Sequence, residues 1–218
     1  MDMVFNSDLI YAAAKELFIE KGYKKATFAE LSARVGVHKS LITYYFKTKL
    51  NLAEMIIHEY ALDYSKLADK AVMLCKGELD PLYVSAMRNF IMFHGFEENK
   101  PLARFYMEFI DEVGPPVYGN LKRTLLEKMQ EKLSLPINEK RLKFIQMADD
   151  AIRISLVKSF FSGGTDLSLD EAIELKVKLT LQMYNLPEDH IDEIYKESKE
   201  IFEKIHFIYG PGLEIRIE

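Results

Sequence analysis

Between His38 and Phe46 the chain places Ser40, Thr43 and Tyr44 on one side of a helical wheel, with Lys39 at the margin and Ile42 and Phe46 on the other side. A face that is small, hydroxylated and basic can enter a major groove about 12 Å wide and offer hydrogen bonds to base edges and phosphates. The apolar pair behind it would anchor the helix to a core. Thr27 and Thr48 each stand where a helix should begin, so the backbone amides beside them can meet phosphate oxygens, and Lys49 adds a positive charge there. The chemistry these residues suggest is recognition of a polyanionic duplex; a solvated helix surface is the plain alternative for Lys39, Tyr44 and Lys49.

Other chemistry finds little support. The adjacent pair Asp149-Asp150 diverges by about 100° on a helix, which is unsuited to paired-carboxylate catalysis. His58, His190 and His206 do not fall into a His-x-x-x-His or His-Glu-x-x-His unit, and Cys75 is the sole cysteine, so neither an internal disulfide nor a multi-thiolate metal site can form. There is no Gly-rich phosphate loop and no Gly-x-Ser-x-Gly elbow. The expectation is a protein that is not an enzyme and needs neither metal nor cofactor.

The elements that must position the basic face are helical. The 218 residues are 49% apolar, enough to bury a substantial core, and they exclude disorder, collagen and low complexity. Net charge is −5, from 29 basic and 34 acidic side chains, but it is unevenly spread. Residues 1–50 hold eight basic against five acidic side chains, a balance of +3, which leaves −8 for the rest. A basic head on an acidic body suits a polyanion-binding module attached to something else. No run of about 18 apolar residues is present and the first residues lack a signal-peptide pattern, so a cytoplasmic chain without a membrane segment is expected.

Apolar positions recur at helical spacing almost throughout, which predicts an all-α fold. A first helix should run from Ser7 to Gly22. Thr27 and Glu30 have capping-box spacing, with the hydroxyl accepting from the Glu30 amide and the carboxylate reaching back to the chain, and Val35-Gly36-Val37 ends that second helix. A third spans His38 to Phe46, and Thr48 caps a fourth that reaches Lys76. Two short helices joined at a glycine and held by longer ones form the helix-turn-helix pattern. Further helices are expected from Leu82 to Phe96, from Asn99 to Gly114-Pro115-Pro116, to about Leu133 before Leu135-Pro136-Ile137, from Glu139 to Ser162, from Ser168 to Asn185 and from Pro187 to Ile208. The tail 210–218 alternates for a few residues and reads as a short strand or an ordered arm.

The run Thr27-Phe28-Ala29-Glu30-Leu31-Ser32-Ala33-Arg34-Val35-Gly36-Val37-His38-Lys39, continuing to Tyr45-Phe46-Lys47-Thr48-Lys49 and Leu52, resembles the DNA-binding domain of the TetR family of bacterial transcriptional regulators. Ala13-Ala14, Phe18 and Gly22-Tyr23 match that family's first helix, so the resemblance covers roughly residues 7–55. It implies that Thr27, Lys39, Tyr44, Tyr45 and Lys49 contact DNA, with Ser40 and Thr43 reading bases and His38 beside them. Departures are His38 for the usual Ser or Thr, Ser40 for a frequent Gly, Leu41 for a polar residue and Thr43 for a frequent Tyr, which leaves the operator sequence open. The resemblance also implies a homodimer on a palindromic double-stranded DNA operator, released when a small molecule binds the body.

The expected division is a helix-turn-helix head, 1–48, and a helical ligand-binding and dimerisation body, 49–218. Met and aromatic side chains are dense in three body helices: Met87, Phe90, Ile91, His94, Phe105, Tyr106, Phe109 and Phe160 are candidates for a pocket taking an apolar or amphipathic molecule. Plain core is the better account of most of them, with a minority facing a cavity; His94 and Arg104 are the polar groups that could orient a ligand, and exposed placement explains those two equally well. Ala148, Ile152, Ser155 and Ser159 with Ile173, Val177, Leu181 and Tyr184 could form half of an intermolecular four-helix bundle, or an internal packing face. The sequence thus points to a ligand-responsive repressor; the competing expectation is an all-α ligand-binding or scaffold protein that does not bind an operator.

Overall fold

The computed structural model describes residues 3–114, 119–135, 138–210 and 212–218. Pro115, Pro116, Pro136, Ile137 and Pro211, read above as breakers or tail residues, lie outside them. The described residues form α1 (Met3–Lys25), α2 (Phe28–Val35), α3 (Lys39–Phe46), α4 (Lys49–Lys76), α5 (Pro81–Glu98), α6 (Lys100–Val113), α7 (Gly119–Lys132), α8 (Glu139–Phe161), α9 (Leu169–Gln182), α10 (Glu188–Lys204), β1 (Phe207–Tyr209) and β2 (Ile215–Ile217). No described helix is long and apolar enough to cross a membrane.

Packing divides the chain into two units, the first comprising residues 1–60, 99–116 and 210–214 and the second the remainder. In the first, Ile10, Ala14, Leu17 and Phe18 of α1 are buried at helical spacing and share a core with Leu31, Ile42, Phe46, Leu52 and Ile56. The apolar face of α6 packs on α1, with Phe105 stacked on Phe18 at 5.1 Å between ring centroids and Phe109 edge-on to Tyr23 at 5.5 Å. Arg104 completes the contact by donating to the carbonyl oxygens of Ile19 and Glu20 near the end of α1. The unit that holds the head is therefore larger than residues 1–48.

Gly22 interrupts α1 where the sequence pattern ends, but a further helical turn to Lys25 follows. Its φ of 79° suits glycine, and a Cβ there would lie 2.4 Å from the Glu108 carboxylate, whose Oε2 accepts from the Lys24 amide at 2.8 Å. The α6 carboxylate thus satisfies a backbone donor exposed by the kink.

In the second unit α5 is buried on nearly all sides and packs against α7, α9 and α10, as an all-round apolar helix must. Phe90 stacks on Tyr195 and Phe202 of α10. A buried ionic contact between Asp149 of α8 and Lys176 of α9, bridged by the Thr180 hydroxyl, joins those two helices. The tenth helix ends at Lys204 rather than Ile208. Phe207–Tyr209 instead pairs antiparallel with Ile215–Ile217 in the register Phe207↔Ile217 and Tyr209↔Ile215. The alternating tail needs a partner strand, and the nearest extended chain supplies it.

Candidate nucleic-acid interface

The turn between α2 and α3 fixes where α3 points. Gly36 takes the left-handed conformation (φ 74°), its amide and that of Val37 both donate to the Ser32 carbonyl, and the Ser32 hydroxyl donates to the Val37 carbonyl. Upstream, Thr27 caps α2 by accepting from the Glu30 amide at 3.2 Å. The Glu30 carboxylate accepts from the Thr27 hydroxyl, not from the backbone as the capping-box spacing suggested. His38 occupies the position before α3 rather than its first turn, and its side chain makes no capping bond.

Ile42 and Phe46 face inward and are buried, with Phe46 stacked against Tyr11 at 6.2 Å. Outward stand His38, Lys39, Ser40, Thr43 and Tyr44, all exposed, Tyr44 by 62%. The Ser40 hydroxyl has no partner among the described residues. Thr43 donates to the Lys39 carbonyl at 3.1 Å, which fixes its rotamer and leaves its oxygen free to accept. Tyr45 is half-buried and lies edge-on to Tyr44.

Charge is sorted by face. Lys15 pairs with Glu59, Lys21 with Glu30, Lys24 with Asp111, and Arg34 with Glu20, whose carboxyl it holds below the usual range. Around α3, by contrast, Lys39, Lys47 and Lys49 have no carboxylate partner among the described residues. Lys47, which the sequence reading did not single out, donates to the Tyr44 carbonyl at the end of α3. Lys49 donates to the Tyr23 carbonyl at 2.9 Å and lies over the Tyr23 ring at 4.3 Å, tying α4 to the end of α1. Thr48 caps α4 by accepting from the Asn51 amide at 3.0 Å. The result is an exposed helix with hydroxyls at its centre and unneutralised ammonium groups at its edges, chemistry suited to phosphate and base contact.

The other expected site residues are dispersed. Phe105, Tyr106 and Phe109 belong to α6, and the two phenylalanines are engaged with α1; Met87, Phe90, Ile91, His94 and Phe160 belong to the second unit. Arg104 is committed to α1 carbonyls rather than presented to a ligand. His94 stacks on Phe202 at 4.4 Å and lines a surface groove of about 430 Å³ with Glu98 and residues 205–209; burial lowers its pKa, which favours the neutral ring. Of the residues expected at a dimer face, Ile173, Val177, Leu181 and Tyr184 are buried within their own chain, whereas Ala148, Ile152, Ser155 and Ser159 on α8 are half-buried or exposed. Beside them on α8, Phe144 and Met147 are 68% and 72% exposed.

The family model for bacterial regulatory proteins of the tetR family matches residues 10–56, the segment that carries this surface. Among solved structures, the chain resembles a tetR-family transcriptional regulator from Streptomyces coelicolor at 14% identity, over 93% of this chain and 90% of that one, with a TM-score of 0.53. It also resembles a Shewanella sp. PV-4 protein assigned to the same family, at 14% identity over 79% and 94% of the two chains, with a TM-score of 0.52. At such identity the likeness is one of fold. No curated protein matches the sequence. Residues 10–56 thus match the model of the tetR family, and over the rest of the chain the likeness to these regulators is one of fold.

Proposed function

We propose that this protein is a homodimeric repressor in which two copies of α3 read the halves of a palindromic operator and a small apolar or amphipathic molecule, held in the body 49–218, releases the DNA. The observation that carries the proposal is the outward face of α3, where Lys39, Ser40, Thr43 and Tyr44 are exposed while Ile42 and Phe46 hold the helix from behind. Support for a dimer comes from the apolar stripe on α8, where Phe144, Met147, Ala148, Ala151 and Ser155 follow one another at helical spacing with little or partial cover. Ligand and operator would favour different separations of the two heads, so each weakens the other's binding by the same factor.

Fluorescence anisotropy with duplexes from the region upstream of the protein's own gene tests the proposal. Saturable binding that survives excess scrambled duplex is expected. Binding that scrambled DNA abolishes at equal concentration would return the chain to a ligand-binding or scaffold role.

A further inference from the structure

The surface groove of about 430 Å³ in the second unit lies where the end of α5 meets the end of α10 and β1. Its floor terminates a column of rings. Tyr195 stacks on Phe90 at 5.8 Å between ring centroids, Phe90 on Phe202 at 5.5 Å, and Phe202 on both His94 at 4.4 Å and Phe207 at 5.0 Å. The His94 and Phe207 planes are tilted by 25° and 13° from that of Phe202. Phe90 is buried, whereas His94, Phe202 and Phe207 are half-buried and line the groove. Tyr209 lines it too, fixed by donating its hydroxyl to the Ile91 carbonyl at 3.3 Å. One chain thus presents nearly parallel rings on which a further flat group can stack in the offset arrangement aromatic pairs favour.

Two polar groups of the same lining stand ready for a ligand. Glu98 is exposed and makes no hydrogen bond or ion pair among the described residues, and neither ring nitrogen of His94 is hydrogen-bonded among them. Burial is the largest influence on His94 and lowers its pKa, so near neutrality the imidazole is uncharged and keeps one acceptor nitrogen. The charged groups that act on it are Asp170, Glu98, Glu97 and Lys199, of which Asp170 and Lys199 pair with each other at 2.6 Å. The Glu98 carboxylate acts on Tyr209 as well as on His94, which places it within reach of both rings. His206, the other imidazole of the lining, lies 3.8 Å from the Glu218 carboxylate. No lysine or arginine is among the described lining residues, so carboxylates set the sign of the groove.

The geometry points to a binding site for a planar organic cation that carries N–H donors, its ring stacked on the surface formed by His94, Phe202 and Phe207 and its charged end on Glu98. Ring faces attract a cation, and a small number of polar groups in an otherwise apolar concavity fixes its orientation. A neutral flat molecule would stack too, but it would strip water from Glu98 without replacing the lost hydrogen bonds. An anion would be repelled by the same carboxylate. A quaternary ammonium lacks the donors that the Glu98 oxygens and the open imidazole nitrogen accept, whereas the paired N–H groups of an amidinium match a carboxylate in parallel. The site goes beyond the proposed repressor function, because it is defined by binding alone.

Isothermal titration of the full chain with naphthamidinium, its neutral counterpart naphthamide, the anion naphthoate and the ringless cation acetamidinium tests this. Naphthamidinium should bind at least about tenfold more tightly than naphthamide, because a charge-assisted pair replaces the water on Glu98, and neither naphthoate nor acetamidinium should approach it. Glu98→Gln, at an exposed position, should bring amidinium and amide to within about threefold of each other. Phe207→Leu should weaken both naphthyl probes by a similar factor, about fivefold, and keep their ratio. Should Phe207→Leu fail to fold, the wild-type series and the Glu98 variant still decide. Equal affinity for amidinium and amide, acetamidinium binding as tightly as naphthamidinium, a preference that survives Glu98→Gln, or no saturable binding of naphthamidinium overturns the inference. No DNA enters these titrations, so their failure leaves the proposed repressor standing, and a failure of operator binding leaves the groove site standing.

Discussion

Lys39 and Lys49 both flank α3, yet their surroundings assign them different roles. Lys39 is exposed and meets no carboxylate, so its ammonium group is available to a phosphate. Lys39→Ala should weaken binding of all duplexes similarly and lower the slope of log affinity against log salt by about 1. Lys49 instead spans the Tyr23 carbonyl and ring, so Lys49→Ala should lower the melting temperature of the protein as well as its affinity. Thr43 is the contrasting case: its oxygen is exposed and fixed toward the groove side, so Thr43→Ala should shift the preferred base at one position of each half-site with little change in salt slope. Binding measured across salt concentrations and single-base operator variants separates these outcomes. Reversed behaviour of Lys39 and Thr43 would mean the contacts are misassigned.

At the scale of elements, the proposed reading of DNA by α3 depends on its buried side and its entry turn. Ile42 is fully buried, and Ile42→Ala should destabilise the head by about 2–5 kcal/mol through lost burial and the cavity left behind. Gly36→Ala meets no steric neighbour within 4 Å, but its left-handed backbone should cost about 1–2 kcal/mol. Denaturant melts of both variants check the ordering, which fails if Gly36→Ala proves the more damaging. These same features explain what could be read from the chain alone. The helix starts at Thr27, Thr48 and Asn99, and the α2–α3 turn, depend on side chains within a few residues, and they appear where the spacing places them. The pairing of Phe207–Tyr209 with Ile215–Ile217 and the packing of α6 on α1 depend on distant partners, which periodicity does not reveal. For the same reason Ile173 and Val177 on α9 could not be told from an intermolecular face: a buried stripe looks alike whichever chain covers it.

For the whole molecule, charge and symmetry act together. The first 50 residues carry +3 and the remainder −8, so on the proposed reading the body would repel phosphates and duplex contact would be confined to the head. One head offers few contacts, and tight operator binding then requires two heads linked at the spacing of successive major grooves, about 34–36 Å. On the proposed reading the link is the α8 stripe, since Phe144 and Met147 are large, apolar and uncovered within their own chain. Replacing both, Phe144→Glu with Met147→Glu, places charge where apolar contact is required and removes nothing from the monomer's core. Light scattering should then report a monomer of unchanged helicity, and affinity for a palindromic duplex should fall by about 10²-fold or more while affinity for a single half-site stays the same, because only the intramolecular second contact is lost. A variant that remains dimeric would place the interface on another surface, and a monomer that holds the palindrome undiminished would show that each head binds alone.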